Sequence, residues 1–537
     1  MRAAHPRINR SMLADIVVKG GTLLDGTGNP SFEACLSIHN GRINAISNTA
    51  SLQGDITIDA KGKIIAPGFI DYHNHSDLTL LVNPHAESYL YQGVTTIGIG
   101  NCGQSPAPIS RQYRTEFTHY FAYHAYGLNV PMPWSTFSEY FQQLEQRGLG
   151  VNVVPFVGHG SVRIAVMGFE NRAPEKSEME AMKALVEDAF KEGVFSLSTG
   201  LDYVPNIYAN TTEIVELCKI AAQYGGTYTT HTRGAEREGV EEAVQIGLAA
   251  KIPVHILHAQ YSLPHSSARI QSAREKGLEI SFDAYPYDGG CGALDSQLQE
   301  FEKGWLFEGG PREFLTRLHK PHIRQTLKDR LRVDWHRLHV AVCHSPEVQH
   351  FEGASIHSIA ETQQQHPVDV YCDLLLANDG IALQVFRHAL EERYVIAALQ
   401  HPMMLVGSDG WALADSGALR VGVPHPRCYG TFPRILSRYV REQAALSLAE
   451  AVAKMTSIPA QRLGLRDRGV LRKGMRADVL VFDPSRINDR ATYDTPHQYS
   501  QGIDYVIMNG QVVLEENQLT GKLAGCILKR EEQSTEP

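Results

Sequence analysis

His73 and His75 stand two residues apart, directly after the apolar run IIAPGFIDY. In an extended chain residues i and i+2 share a face, so both imidazoles can reach one ion. Cys102 closes the run GVTTIGIGNC; a thiolate is a strong zinc ligand, and binding keeps it deprotonated. His231 ends GGTYTTH and His258 ends IPVHILH, each at the close of a strand-like pattern. Asp409 follows the hydrophobic MMLVGS. Asp-Gly is a common turn pair, yet a carboxylate that joins metal-binding histidines is expected to be a catalytic base. Histidine and cysteine donors with one carboxylate nearby favour Zn2+ over Mg2+ or Ca2+. His255, three residues before His258, falls on the opposite strand face and is expected to be structural. His159, in VGHGSVR, is expected either to line a pocket or to hold a loop, and the sequence favours neither.

These residues are scattered over more than 300 positions, so only a fold that gathers strand ends can bring them together. Between Pro67 and Gly464, strand-like runs (VTTIGI, VNVVPFVGH, VFSLSTG, EISFDAYPY) alternate with amphipathic helical stretches (SEMEAMKALVEDAFKEG, NTTEIVELCKIAAQYG, GVEEAVQIGLAA). Alternation of this length predicts parallel βα units, and about eight of them make a (β/α)8 TIM barrel whose C-terminal strand ends share one face. An open doubly wound sheet should carry a Gly-rich phosphate loop after its first strand; DYHNHSD stands there instead. Short Val- and Ile-rich strands with Gly-Asn, Asn-Gly and Gly-Gly turns fill both chain ends. They predict a small β-sandwich domain built from residues 14–66 plus 464–530, around a catalytic barrel at 67–463. The stretches 104–149 and 288–350 fit no minimal barrel and are expected as insertions over its mouth.

Composition bounds the function. With 537 residues, 43% hydrophobic and 20% charged, the chain can bury a large core. A net charge of −9 without a concentrated basic face argues against nucleic-acid binding. The eight cysteines form no CxxC pair and suit a reducing compartment. The N-terminal segment lacks a signal-peptide apolar stretch, and no run approaches the roughly 18 apolar residues of a membrane span. A cytoplasmic protein is expected.

The motifs IIAPGFIDYHNHSD, GVTTIGIGNCG, FSLSTGLDYVP, THTRGAE, VHILHA, DAYPY, LVGSDG and HPRCYGTFPR resemble the amidohydrolase superfamily, and within it the D-aminoacylase family of N-acyl-D-amino-acid deacylases. GNCG and HPRxYGTFPR are the most specific to that branch, and the resemblance runs over about residues 14 to 515. It implies zinc-dependent hydrolysis of the amide of a small-molecule N-acyl-D-amino acid. It further implies one tight zinc on Cys102, His231 and His258, and a weaker second site on His73 and His75. Asp409 would be the general base and then the acid, and Tyr203 would polarise the scissile carbonyl. Arg427 and Tyr287 would hold the substrate carboxylate, with His159 as a further pocket candidate.

Two departures bear on specificity. Relatives commonly read close to HISHHK where this chain has HILHAQ, so Ala259 and Gln260 replace a histidine and a lysine. Asp288 stands where small polar residues are usual. The rival readings are a cyclic amidase of the dihydroorotase or hydantoinase type, a dipeptidase acting on L–D peptides, and a non-catalytic scaffold. A cyclic amidase should supply a carboxylated lysine at a strand end, and none occupies that place; a scaffold should have lost ligands, and all are present.

Overall fold

A computed structural model describes residues 14–48, 52–234, 237–261 and 263–530. The N-terminal stretch 1–13 and the Ala235–Glu236 end of THTRGAE lie outside the described residues.

Eight parallel strands form the barrel: Phe69–Asp71, Val94–Ile99, Asn152–Gly158, Ser196–Gly200, Thr227–His231, Val254–Ile256, Ile280–Ala284 and Met404–Val406. Each pairs with the next in sequence, as right-handed βα crossovers require. Val94–Ile99 is buried along its whole length, because barrel strands meet side chains inside and helices outside. The first and eighth strands close the ring through backbone hydrogen bonds past their ends: Asp409 N donates to His73 O at 2.7 Å, and His75 N to Gly410 O at 2.8 Å. The Asp71 carboxylate reinforces this seam by accepting from Ser408 N (2.7 Å) and Ser408 Oγ (2.5 Å). Closure therefore sets HxH and Ser-Asp-Gly side by side.

The helix patterns fold as expected. Thr211–Gln223 starts where the Asn210 side chain accepts from Glu213 N, and it buries Ile214, Leu217, Cys218 and Ala221 at helical spacing. Lys176–Lys191 begins with a capping box between Glu175 and Glu178. Burying a side chain such as Ile214 or Leu217 contributes about 1.5–3 kcal/mol.

Both chain ends enter one nine-stranded sheet, in which Ile64–Pro67 pairs antiparallel with Val479–Phe482. A separate apolar core of Ile16, Val18, Leu36, Ile65, Val479 and Ile507 belongs to it. Between strands two and three of the barrel run the helices Arg114–Phe121 and Phe137–Arg147. Between strands seven and eight lies a longer excursion than the sequence pattern suggests. A three-stranded sheet of Gly290–Ala293, Leu338–Val342 and Leu383–Phe386 extends it well past residue 350. Its strands are short and far apart in sequence, so local pattern does not reveal their pairing. No helix among the described residues is long and apolar enough to cross a membrane.

Candidate active site

The C-terminal mouth of the barrel gathers two overlapping groups of ligand atoms. One is His73, His75, Cys102 and Asp409; the other is Cys102, His231 and His258; within each group the ligand atoms lie within 4.8 Å of one another. Cys102 is shared. Its Sγ lies 3.4 Å from His73 Nε2, and His231 Nδ1 lies 2.9 Å from His258 Nε2. Asp409 Oδ1 stands 3.0 Å from His75 Nε2 and 3.2 Å from His73 Nε2.

The loop that presents Cys102 explains the sequence GIGNCG. Cys102 itself has φ +53°, with Gly100 at +82° and Gly103 at +72°, two left-handed positions that glycine adopts without strain. A Cβ on Gly103 would meet Asn206 Oδ1 at 2.3 Å and Gly200 N at 2.6 Å. Gly103 N donates to Ser198 Oγ (3.1 Å), Ser198 Oγ donates to Gly100 O (2.5 Å), and Gly160 N donates to Gly103 O (2.9 Å). The thiol is thus pinned by neighbouring strands before any ion arrives.

Charge is concentrated here. Burial pushes the Cys102 thiol up, but His73, His231 and His258 outweigh it and hold the thiol well below its ordinary value. Burial likewise opposes ionisation of Asp409, yet Arg427, His73, the His75 hydrogen bond and His258 keep that carboxyl well below the carboxylate range. Burial lowers His231, but the Asp202 and Cys102 contacts overcome it and raise the ring to about 10. Tyr203 is pushed well above its ordinary value by burial, then by Cys102 and Asp409, so its hydroxyl stays protonated as a donor. It lies 3.2 Å from His231 Nδ1. Thiolate, carboxylate and imidazole groups converging on one spot are the donor set a borderline metal takes, and they fit Zn2+.

A cavity of about 360 Å3 opens on this cluster, lined by Tyr203, His231, His258, Tyr261, Tyr285 and Asp409 among others. Arg427 is wholly buried beneath it: Nη1 pairs with Asp409 Oδ2 at 2.8 Å, Nη2 donates to Cys291 O at 3.0 Å, and Cζ sits 4.9 Å over the Tyr285 ring. Its Nε has no hydrogen-bond partner among the described residues.

Two of the expected pocket residues stand elsewhere. Tyr287 is buried with its hydroxyl 3.5 Å from Pro426 O and Arg434 Cζ 4.8 Å over its ring; it does not line the cavity, whereas Tyr285 does. His159 bridges Asn206 Oδ1 and Glu213 Oε1, both at 2.9 Å, and so ties down the loop that packs on Gly103. Asp288 accepts from Tyr493 at 2.9 Å and meets His388 at 2.7 Å, outside the cavity lining. Gln260 is buried, and neither of its amide atoms has a hydrogen-bond partner among the described residues.

Sequence reading missed Asp283, which organises the cluster from behind. Its carboxylate lies 3.3 Å from His73 Nδ1 and 3.1 Å from His255 Nε2, and it accepts from His258 N at 2.6 Å. His255, turned from the mouth, thereby still supports it. Asp202 was missed too; it holds His231 Nε2 at 3.3 Å and Gly234 N at 2.7 Å. Asp283 lies within the strand Ile280–Ala284 and Asp202 just past Ser196–Gly200, each a single carboxylate in a motif, the only signal available.

Residues 381–514 match the sequence profile described as the amidohydrolase family. N-acyl-D-glutamate deacylase of Alcaligenes xylosoxydans xylosoxydans is 33% identical, aligned over 96% of this chain and 97% of its own. D-aminoacylase of the same organism is 31% identical over 96% and 98%. The crystal structure of N-acyl-D-glutamate deacylase from Bordetella bronchiseptica, complexed with zinc and a phosphonate mimic of the tetrahedral intermediate, superposes with a TM-score of 0.80 at 31% identity, covering 96% of this chain and 100% of that one. The chain belongs to the amidohydrolase superfamily, in its D-aminoacylase family.

Proposed function

We infer that this protein hydrolyses the amide bond of N-acyl-D-amino acids, releasing a carboxylate and a free D-amino acid with the help of zinc. The observation that carries the reading is the triad Cys102, His231 and His258 with Asp409 beside it at the mouth of the barrel. Relatives named for this activity across nearly the whole chain support it.

Cys102, His231 and His258 would hold the tighter zinc, and His73 and His75 a weaker second ion. Bound zinc polarises an acyl carbonyl and brings the pKa of a water from 15.7 towards about 7. Asp409 is kept ionised by Arg427 and the histidines, and so is ready to take the water's proton. It then returns that proton to the amide nitrogen, which leaves poorly as an anion. The protonated Tyr203 hydroxyl donates to the carbonyl oxygen as charge gathers there, a contribution of about 2.7–4 kcal/mol for one donor at such a site. Arg427, with its unpartnered Nε, supplies a planar donor for the substrate α-carboxylate. A cyclic-amidase reading finds no support in the ligand set. None of the eight barrel strands ends in lysine, and Cys102 occupies the shared position.

The test is chelation and reconstitution. Stripped protein should release no D-amino acid from a panel of N-acetyl-D-amino acids, and zinc should restore the release. Ring opening of hydantoin or dihydroorotate with no linear amide cleaved would overturn the reading.

A further inference from the structure

Part of the cavity wall offers hydrogen-bond acceptors with no lysine or arginine to meet them. The strand Leu383–Phe386 pairs antiparallel with Gly290–Ala293, and the register sets Gln384 opposite Gly292. Gln384 is 4% exposed, lines the cavity, and donates through Nε2 to Ser296 Oγ at 2.6 Å. Its Oε1 is left buried without a hydrogen-bond partner among the described residues. An unpaired buried acceptor is costly, so this one calls for a donor that arrives with the ligand. Asp202 and Glu300 line the same cavity. Asp202 accepts from His231 Nε2 at 3.3 Å and from Gly234 N at 2.7 Å, and a carboxylate with about four acceptor positions keeps capacity beyond that. Among the described residues no hydrogen bond or ion pair holds the Glu300 carboxylate, whose charged neighbours are Asp202 and His231. No lysine or arginine stands among the described residues that line the cavity.

The same wall leaves room for a long group. Gly290 and Gly292 line the cavity, and neither has a positive φ, so the backbone does not demand glycine there. A Cβ on Gly292 would meet nothing within 4 Å, and one on Gly290 would meet only the Tyr261 and Tyr285 hydroxyls, both at 3.5 Å. Packing does not demand glycine either; the missing side chains leave open space beside Gln384. Leu257, Tyr261, Tyr285 and Phe386 supply apolar surface on which a methylene stem can lie while its charged tip reaches the acceptors. Arg427 Nη2 donates at 3.0 Å to the carbonyl of Cys291, which stands between the two glycines. The guanidinium proposed to anchor the α-carboxylate thus borders this strand, and a side chain on the adjoining carbon lies within reach of it.

We propose that the cavity selects N-acyl-D-amino acids with a cationic side chain, as in D-lysine, D-ornithine or D-arginine, and that Gln384 Oε1, Glu300 and Asp202 receive its charged tip. An ammonium brings three donors and a guanidinium five, and neither brings an acceptor. That is the complement of a wall made of one amide oxygen and two carboxylates. Asp409, the third carboxylate of the lining, already has Arg427 at 2.8 Å, so the unmatched charge lies at Asp202 and Glu300. A neutral chain of the same length leaves Gln384 Oε1 unpaired and the carboxylates without a counter-charge, and an anionic chain adds repulsion. This selectivity rests on the deacylase reading and names the substrates of that same site.

Zinc-loaded protein assayed with Nα-acetyl-D-lysine and N-acetyl-D-norleucine tests this, because the two side chains share a stem and differ in the terminal charge. The kcat/KM for the lysine substrate should exceed that for the norleucine substrate by at least about tenfold, and in Glu300→Gln that ratio should fall several-fold towards one. Gly292→Leu, which fills the space beside Gln384, should lower kcat/KM for N-acetyl-D-lysine relative to N-acetyl-D-alanine. Glycyl-D-leucine compared with N-acetyl-D-leucine moves the cation to the acyl end. A wild-type lysine-to-norleucine ratio of one or less overturns the proposal and leaves the deacylase reading standing. So does a gain confined to glycyl-D-leucine, which would put the acyl group at this wall, and so does a ratio that Glu300→Gln leaves unmoved. Release of no D-amino acid from any of these substrates overturns the deacylase reading and the proposal with it. The wild-type ratio decides alone if a variant does not fold.

Discussion

Arg427 Nη1 and Asp409 Oδ2 lie 2.8 Å apart, with the guanidinium wholly buried and the carboxylate 7% exposed. The proposed base is therefore held ionised by the same cation that is proposed to receive the substrate carboxylate. In Arg427→Gln the carboxyl loses its nearest positive charge, so its pKa rises. The active, deprotonated form then persists only at higher pH, and the acid limb of the kcat/KM profile should move upward together with a higher KM. A profile that stays in place would show that the pair does not tune the base.

Asp409→Asn keeps the size of the side chain and removes its ability to take a proton. Zinc content should stay as in the wild type while kcat falls by roughly 10²–10⁴-fold, the usual range for a positioned acid–base group. Elemental analysis beside steady-state kinetics gives both numbers, and a fully active variant would remove Asp409 from the role of base.

Cys102 is shared by both ligand groups, so Cys102→Ala should lower zinc content as well as rate. Gly103→Ala probes the loop that aims the thiol. The new methyl would sit 2.3 Å from Asn206 Oδ1, on a residue at φ +72°, and no flexible side-chain end can move aside from Gly200 N at 2.6 Å. The expected outcome is a lower thermal midpoint and weaker zinc retention, read by calorimetry and by dialysis against a mild chelator. Normal zinc retention in both variants would leave Cys102 as a packing residue.

The barrel and its candidate ligands were legible because each strand is a short apolar run and each candidate is a polar residue at its end or just beyond it. His231 and Asp409 stand out against Thr227–His231 and Met404–Val406 for that reason. Asp283 did not, since inside Ile280–Ala284 a lone carboxylate reads as ordinary strand alternation. Its meaning comes from His73, 210 positions earlier, and from the neighbouring strand that carries His255. Tyr285 and Tyr287 share one strand exit, and sequence spacing does not say which of them turns into the cavity. Asp202 and the three-stranded sheet beyond strand seven were hidden likewise, because their partners are distant in sequence.

The cavity wall also carries Asp202 and Glu300. Two carboxylates on one wall mark a site that resists further negative charge. N-acetyl-D-leucine should therefore be hydrolysed with a kcat/KM at least about tenfold above N-acetyl-D-glutamate, about 1.4 kcal/mol of discrimination. Glu300→Gln should narrow the gap. Equal or reversed preference in the wild type would show that the wall does not face the substrate side chain.

A zinc site at the barrel mouth is proposed to cleave the amide of N-acyl-D-amino acids. Zinc-loaded protein given N-acetyl-D-leucine and, separately, N-acetyl-L-leucine, with products resolved on a chiral column, tests it most directly. Equimolar acetate and D-leucine are expected from the first, nothing from the second, and no product after chelation. Cleavage of the L substrate alone, or D-leucine released at an undiminished rate from metal-free protein, would contradict it.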